Sequence, residues 1–414
     1  MHAVLRNRNY AFLWIGSLIS SLGDWALRGA LPFYVYARTN SALATGLTFI
    51  ASALPWVVLS SVAGVFVDHW DLKRIMIIAD LARAALMLLL LLITVVPALF
   101  WLVYFVSFAE ACITQFFNPA SMALAPQIVG KDHLQEANAL GSLNGSVSRL
   151  VGPLLGGVLL AMLGPASTII ADGLSYVGSA IMISLVLVSA APRGEIHQSD
   201  SSEAMGKWTA YWHDWLEGLR VVKEERLLRA LFLVVALAAI GDGMSSPAFV
   251  LFPTVVLHLG ASAYGGMLTA LGVGNLIGSL LVGQLAKRIS PTRFIAVGLL
   301  GEGLAYLLAF SSRSSALALV LFVISGTPVV GWQVSAQTLL QTSVEERLRG
   351  RVFGAYVATL SLLLLVGTGL GSALVAPLGA VSVLTLECCI MLLAGVVAFV
   401  LMRNPLDATT ACNR

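Results

Sequence analysis

Apolar residues in this chain run in long blocks separated by short polar turns. The blocks lie near 10–36, 42–67, 74–95, 98–122, 141–163 and 166–189, then near 227–256, 262–286, 291–311, 314–338, 352–376 and 379–402. Crossing the hydrocarbon core of a bilayer takes about 20 residues of helix, so each block is long enough to do so. Breakers stand between them: Pro97 between the third and fourth, Gly164-Pro165 between the fifth and sixth, and Pro377 and Gly379 between the eleventh and twelfth. The pattern predicts an all-α membrane protein of twelve transmembrane helices, with the first block retained as a span.

A polar stretch, 190–226, interrupts the series after the sixth block. It predicts a six-helix bundle over 1–189, a cytoplasmic linker over 190–226 and a second six-helix bundle over 227–414. The linker opens Ser-rich and charged. From Trp208 onward, Tyr211, Trp212, Trp215, Leu219 and Val222 recur at helical spacing, which suits an amphipathic helix on the membrane surface. The two bundles also repeat each other. Gly23-Asp24 matches Gly241-Asp242 at a shift of 218 residues. Gly46, Ala51, Gly64 and Arg74 match Gly265, Ala270, Gly283 and Arg293 at a shift of 219, and Gln127 and Leu134 match Gln341 and Leu348 at 214. Pseudo-symmetric parallel repeats are a transporter plan, with the substrate site between them near the midplane.

Composition agrees: 58% of the 414 residues are hydrophobic and 11% charged, against about 25% charged in soluble domains. The net charge of +3 is too small to suggest a nucleic-acid partner. Placement of the 24 Lys and Arg matters more. With the N-terminus in the cytoplasm, nineteen fall in inner loops and tails, only Arg38 and Arg313 in outer loops, and Arg28, Arg83 and Arg149 within spans. The positive-inside rule then puts both termini in the cytoplasm, and short loops suit a bacterial inner (plasma) membrane. The four cysteines form no C-x-x-C pair and no His/Cys cluster, so neither a disulfide framework nor a metal site is expected. No Walker A or hydrolase motif is present, so no cofactor or enzyme activity is expected and any pumping draws on an ion gradient.

Charges within spans are costly and are the first candidates for function. Asp24 and Arg28, at i,i+4 in span one, are expected to pair. Glu110 in span four and Arg149 in span five form a second expected pair. Asp242 in span seven has no local cation and offers a proton-exchanging carboxylate. Trp332 and Gln333 in span ten are expected substrate contacts. Asp172, Glu302 and Glu387 rank lower, with Asp172 and Glu387 expected near a membrane surface or capping a backbone group. Asp80 and Arg83 are expected to snorkel from the inner end of span three.

Two local motifs bear on conformational change. Between spans two and three, Gly64 permits close approach, Asp68 offers a helix-capping charge, and Lys73 and Arg74 suit anchoring to an anionic leaflet. In span five, Gly152-Pro153 and Gly156-Gly157 make a pliable, closely packing helix.

With these in place, the chain resembles the major facilitator superfamily over nearly its whole length. Gly64, Asp68, Lys73 and Arg74 look like that superfamily's inner-loop motif, with His69 and Asp71 departing from it. Gly152, Pro153, Gly156 and Gly157 look like its antiporter motif, with Ser148 where Gly is usual. Asn9-Tyr10-Ala11-Phe12-Leu13-Trp14, Gly23-Asp24-Trp25, Phe117-Asn118-Pro119-Ala120, Asn138-Ala139-Leu140 and Arg349-Gly350-Arg351-Val352-Phe353-Gly354 resemble the macrolide-efflux branch, itself similar to siderophore exporters and lysophospholipid flippases. The Arg that many drug exporters carry in helix four is absent, where Cys112, Gln115 and Phe116 stand. The resemblance implies export, but the proton route of exporters with that Arg does not carry over. With Asp24, Glu110 and Asp242 as the expected titrating groups, the chain is expected to export a small, largely apolar solute by proton-coupled alternating access, as a monomer among membrane lipids. A lipid flippase and a siderophore exporter stay open as alternatives; a non-transporting sensor and a channel are more remote.

Overall fold

The computed structural model describes residues 2–67, 70–130, 133–187, 220–286 and 288–402. Twelve long helices run through the described residues. In the first half they are α1 Arg8–Thr39, α2 Ala42–Val67, α3 Leu72–Val95, α4 Leu102–Val129, α5 Leu134–Leu163 and α6 Pro165–Ser184. The second half has α7 Arg226–Val255, α8 Ala261–Leu285, α9 Pro291–Ser311, α10 Ser315–Ser343, α11 Glu346–Leu378 and α12 Ala380–Leu401. A short helix, His2–Arg6, precedes them, and Pro97–Leu99 forms a 3-10 turn before α4.

Local chemistry starts these helices where it should. The Asn7 side chain accepts from the Asn9 and Tyr10 amides and caps α1, and Asp71 caps α3 by accepting from the Arg74 amide at 3.0 Å. Gly164 and Gly379, at φ +81° and +82°, turn the chain into α6 and α12, a left-handed backbone that glycine adopts without a Cβ penalty. The helices outrun several apolar blocks. α5 begins at Leu134 rather than near 141, and α10 runs to Ser343, because a polar helical turn can continue past the hydrocarbon where hydropathy no longer marks it. Conversely, Pro97 and the 3-10 turn delay α4 to Leu102, and α6 ends at Ser184.

By contacts, α1–α6 with Leu259–Thr269 at the start of α8 make one compact unit, and α7, the rest of α8 and α9–α12 make a second. In the first, α1 packs against α5 and α6, α3 against α4 and α6, and α2 against α4. In the second, α7 packs against α11 and α12, and α9 against α10 and α12. Nine of the helices are long and apolar enough to cross a membrane, among the described residues. α3 shows why a bilayer is the solvent. Its interior face carries Asp80, Arg83, Met87 and Leu90, all buried, while Ile78, Leu81 and Leu88 are exposed, Leu88 at 68%. Exposed leucines around buried charges suit lipid outside and satisfied polar groups inside.

Candidate functional site

A network of charge fills the first unit. Arg83 is 1% exposed and pairs with Asp80, itself fully buried, one turn before it on α3. Its Nη1 also lies 3.7 Å from Asp24 Oδ2 on α1. The guanidinium stands over two rings, 4.3 Å from the centroid of Tyr176 on α6 and 4.5 Å from that of Phe117 on α4, the placement of a desolvated cation–π contact. The Tyr176 hydroxyl donates to Asp24 Oδ1 at 2.5 Å. Four helices therefore converge on one guanidinium.

Two further carboxylates border the network. Glu110 on α4 accepts from Thr114 Oγ1 at 3.0 Å and acts electrostatically with Asp24, Arg28 and Arg83. Asp172 on α6 is 1% exposed, accepts from Ser175 Oγ at 3.4 Å, and leaves Oδ2 without a partner. Gly23 makes this possible, since a Cβ there would run into Ser175 and Asp172.

Both expected pairings are corrected by this geometry. Asp24 takes Arg83 and Tyr176, not Arg28. Glu110 takes Thr114, not Arg149. Arg28 and Arg149 instead lie over the Trp25 ring, at 5.5 and 5.4 Å from its centroid. Sequence proximity brings two residues to one helix or to neighbouring helices, but helix rotation decides which faces meet. Arg83 and Asp80 do not snorkel, because Arg83 lies halfway along α3 and faces inward. Nor do Asp172 and Glu387 lie at a surface or cap a helix; both are 1% exposed within the bundles. Tyr176, Thr114 and Arg83 were missed as site residues. Only the depth of Arg83 in its span could have signalled it.

The antiporter-like glycines serve close packing. A Cβ on Gly156 would strike the Ala26 backbone of α1, and one on Gly152 would strike Trp25. Pro153 lies against Gly29. In the same unit, Gly157 faces Ala261 and Gly265, and Thr269 Oγ1 donates to the Leu150 carbonyl at 3.0 Å. Lys73 departs from its expected lipid-anchoring role: its Nζ donates to the Ser184 and Val186 carbonyls at 2.7 and 2.8 Å, closing the end of α6. Arg74 lies 3.7 Å from Asp71. Gly64 lies in α2; Asp68, His69 and residues 188–219, which include most of the expected linker 190–226, lie outside the described residues.

The second unit holds a different cluster. Asp242 on α7, Glu302 on α9 and Glu387 on α12 act on one another. Trp332 on α10 is 3% exposed and donates its indole N–H to Glu302 Oε2 at 2.6 Å. The expected contact residue Trp332 is thus a buried partner of Glu302, while Gln333 is exposed.

Comparison with known proteins follows the fold. The family model described as transmembrane secretion effector matches residues 1–413. Macrolide efflux protein A of Streptococcus pyogenes is 26% identical over 86% of this chain and 86% of its own length. The multidrug efflux pump Tap of Mycobacterium tuberculosis (strain ATCC 25618 / H37Rv) is 27% identical over 84% of this chain and 83% of its own. A crystal structure of a bacterial homologue of the iron transporter ferroportin superposes with a TM-score of 0.75 at 16% identity, over 96% of this chain and 99% of that one. These matches are to transporters, not enzymes. The chain belongs to the transmembrane secretion effector family of the major facilitator superfamily and is a multi-pass integral membrane transporter of a small-molecule substrate.

Proposed function

We propose that this transporter exports a small, largely apolar, drug-like solute by alternating access, driven by proton uptake, from a bacterial inner membrane with both termini in the cytoplasm. Relatives named for macrolide and multidrug efflux support the direction and the solute class. The observation that carries the coupling is Asp24. It is a membrane-embedded carboxylate, 15% exposed at its side chain, held between a buried guanidinium and a phenol. A proton arriving on Asp24 cancels its attraction for Arg83 and leaves Arg83 to Asp80, so protonation changes which helices are bound together. Glu110 adjoins the same network, and Asp242 is a third candidate for titration. The glycines of α5, with Gly64, Asp68, Lys73 and Arg74, are assigned to conformational gating.

The test is flux in proteoliposomes across cationic dyes, macrolides, anionic siderophore-like chelates and lysophospholipids, with and without an imposed pH gradient. Gradient-dependent flux of a soluble compound, uncoupled by Asp24→Asn or Glu110→Gln, is the expected result. Coupling that survives both substitutions sinks the assignment of these carboxylates. Movement of lysophospholipid alone, indifferent to pH, replaces the export reading with a flippase.

A further inference from the structure

Of the three arginines within spans, Arg83 is closed by two carboxylates; Arg28 and Arg149 are not. Among the described residues neither has a carboxylate in ion-pair contact. Both are exposed, although they lie well inside α1 and α5. Glu110 acts on Arg28 electrostatically but accepts its hydrogen bond from Thr114, and Asp24 is taken by Arg83 and Tyr176. Instead, both guanidiniums lie over the one Trp25 ring, at 5.5 and 5.4 Å from its centroid. α5 holds that ring in place, since a Cβ on Gly152 would strike Trp25 Cβ. Two like charges held at one ring repel each other, and a charge within a span is costly unless it meets water or a counter-charge.

The surroundings admit a ligand. α5 has two exposed faces. Ser142, Ser146 and Arg149 fall at helical spacing on one, and Val151, Leu154 and Leu155 lie on the opposite one. The apolar face suits lipid; serines leading up to an arginine suit water. A Cβ on Gly141 would meet nothing within 4 Å, so the polar face is open at its start. Beyond Arg149 it closes, where Gly157 meets Ala261 and Gly265. The two guanidiniums thus stand where an open polar face ends. The internal repeat shows that the fold does not require them. The shifts of 218 and 214 that relate the two halves carry Trp25 onto Gly243, Arg28 onto Ser246 and Arg149 onto Leu363, so the second bundle is built on the same plan without the trio.

We propose that Arg28 and Arg149, steadied by Trp25, receive the oxyanion, a carboxylate or phosphate, of an amphiphilic solute. A guanidinium presents paired N–H donors that match the two oxygens of such a group, and two guanidiniums on one ring give it more than one fork. The indole offers the apolar remainder of the solute a flat surface. This site names the substrate class of the export reading and rests on it.

The test is equilibrium binding of radiolabelled 2-naphthoate to the purified full chain in phosphatidylcholine nanodiscs, with lysophosphatidylglycerol and uncharged 2-naphthamide as competitors. Saturable binding of 2-naphthoate, displaced by lysophosphatidylglycerol but not by the amide, is expected. Arg28→Gln and Arg149→Gln should each weaken it at least tenfold, and Arg149→Lys, which keeps the charge and loses the fork, should fall between. Neither arginine is in an ion pair, so the melting temperature should hold in all three variants and lost binding does not reflect misfolding. The proposal is overturned if neither anion binds saturably, if the amide competes as well as the anions, or if the double variant Arg28→Gln with Arg149→Gln binds as the natural chain does. Flux in proteoliposomes separates the two sources of the oxyanion: export of the naphthoate marks a soluble organic anion, and movement of the lysolipid alone marks a headgroup. It also separates this site from the export reading. Arginine-dependent binding without export of any solute removes the export reading and keeps the site. Export that the double variant leaves unchanged removes the site and keeps export.

Discussion

The Tyr176 hydroxyl donates to Asp24 Oδ1 across a sequence separation of 152 residues, and the same phenol ring lies under the Arg83 guanidinium. One side chain thus binds the anion through its edge and the cation through its face. Tyr176→Phe keeps the ring and removes only the donor, so it should cost about 1.5–3 kcal/mol, the range for hydrogen bonds to charged groups. Tyr176→Leu removes both and should cost more. Thermal unfolding in detergent checks the order; equal losses would show that the ring contributes nothing.

Arg83→Met should be the most damaging single change in the first unit. It strands Asp80, fully buried and with Oδ2 already unpartnered, and removing one partner of a buried pair costs about 3–5 kcal/mol. The double variant Asp80→Asn with Arg83→Met removes the stranded charge. It should recover much of that loss, a positive coupling that a double-mutant cycle reads directly. Simple additivity would mean the pair does not hold the fold.

Two glycines of α5 should behave oppositely. At Gly156 a Cβ meets the Ala26 backbone, which cannot give way as a flexible side chain would, whereas at Gly145 a Cβ meets nothing within 4 Å. Gly156→Ala should force α1 and α5 apart, at about 1–3 kcal/mol for overpacking, and depress transport. Gly145→Ala should be neutral or stabilise by up to about 1 kcal/mol through helix propensity. Folded yield and flux, measured side by side, decide it.

The C-terminal end of α6 is held by two clasps. Lys73 bonds the Ser184 and Val186 carbonyls, and the Asn9 side chain both accepts from the Leu187 amide and donates to its carbonyl at 2.8 Å. Lys73→Met should cost about 1 kcal/mol, from lost hydrogen bonds and a lost cation at a helix C-terminus. Asn9→Ala should add to it. Faster hydrogen exchange at 184–187 is the readout; unchanged exchange in the double variant would refute the clasp.

The sequence by itself determined the membrane-spanning all-α plan, the turns and the internal repeat. Those features are local: hydrocarbon thickness sets a run length, a Gly164-Pro165 or Pro377-x-Gly379 step ends a helix, and a shift of 218 between two Gly-Asp steps is visible without coordinates. It also marked Asp24, Glu110 and Asp242 as charges that a bilayer makes expensive. Only tertiary structure decided their partners. Whether Asp24 meets Arg28, four residues away, or Arg83, on another helix, depends on the rotation of α1 against α3 and α6. That rotation is set by close approaches such as Gly23 on Asp172 and Gly156 on Ala26. For the same reason, Arg28 and Arg149 were both visible in the sequence as span charges, but their joint use could not be read there. It appears once both guanidiniums are seen over the one Trp25 ring, with neither in ion-pair contact with a carboxylate among the described residues.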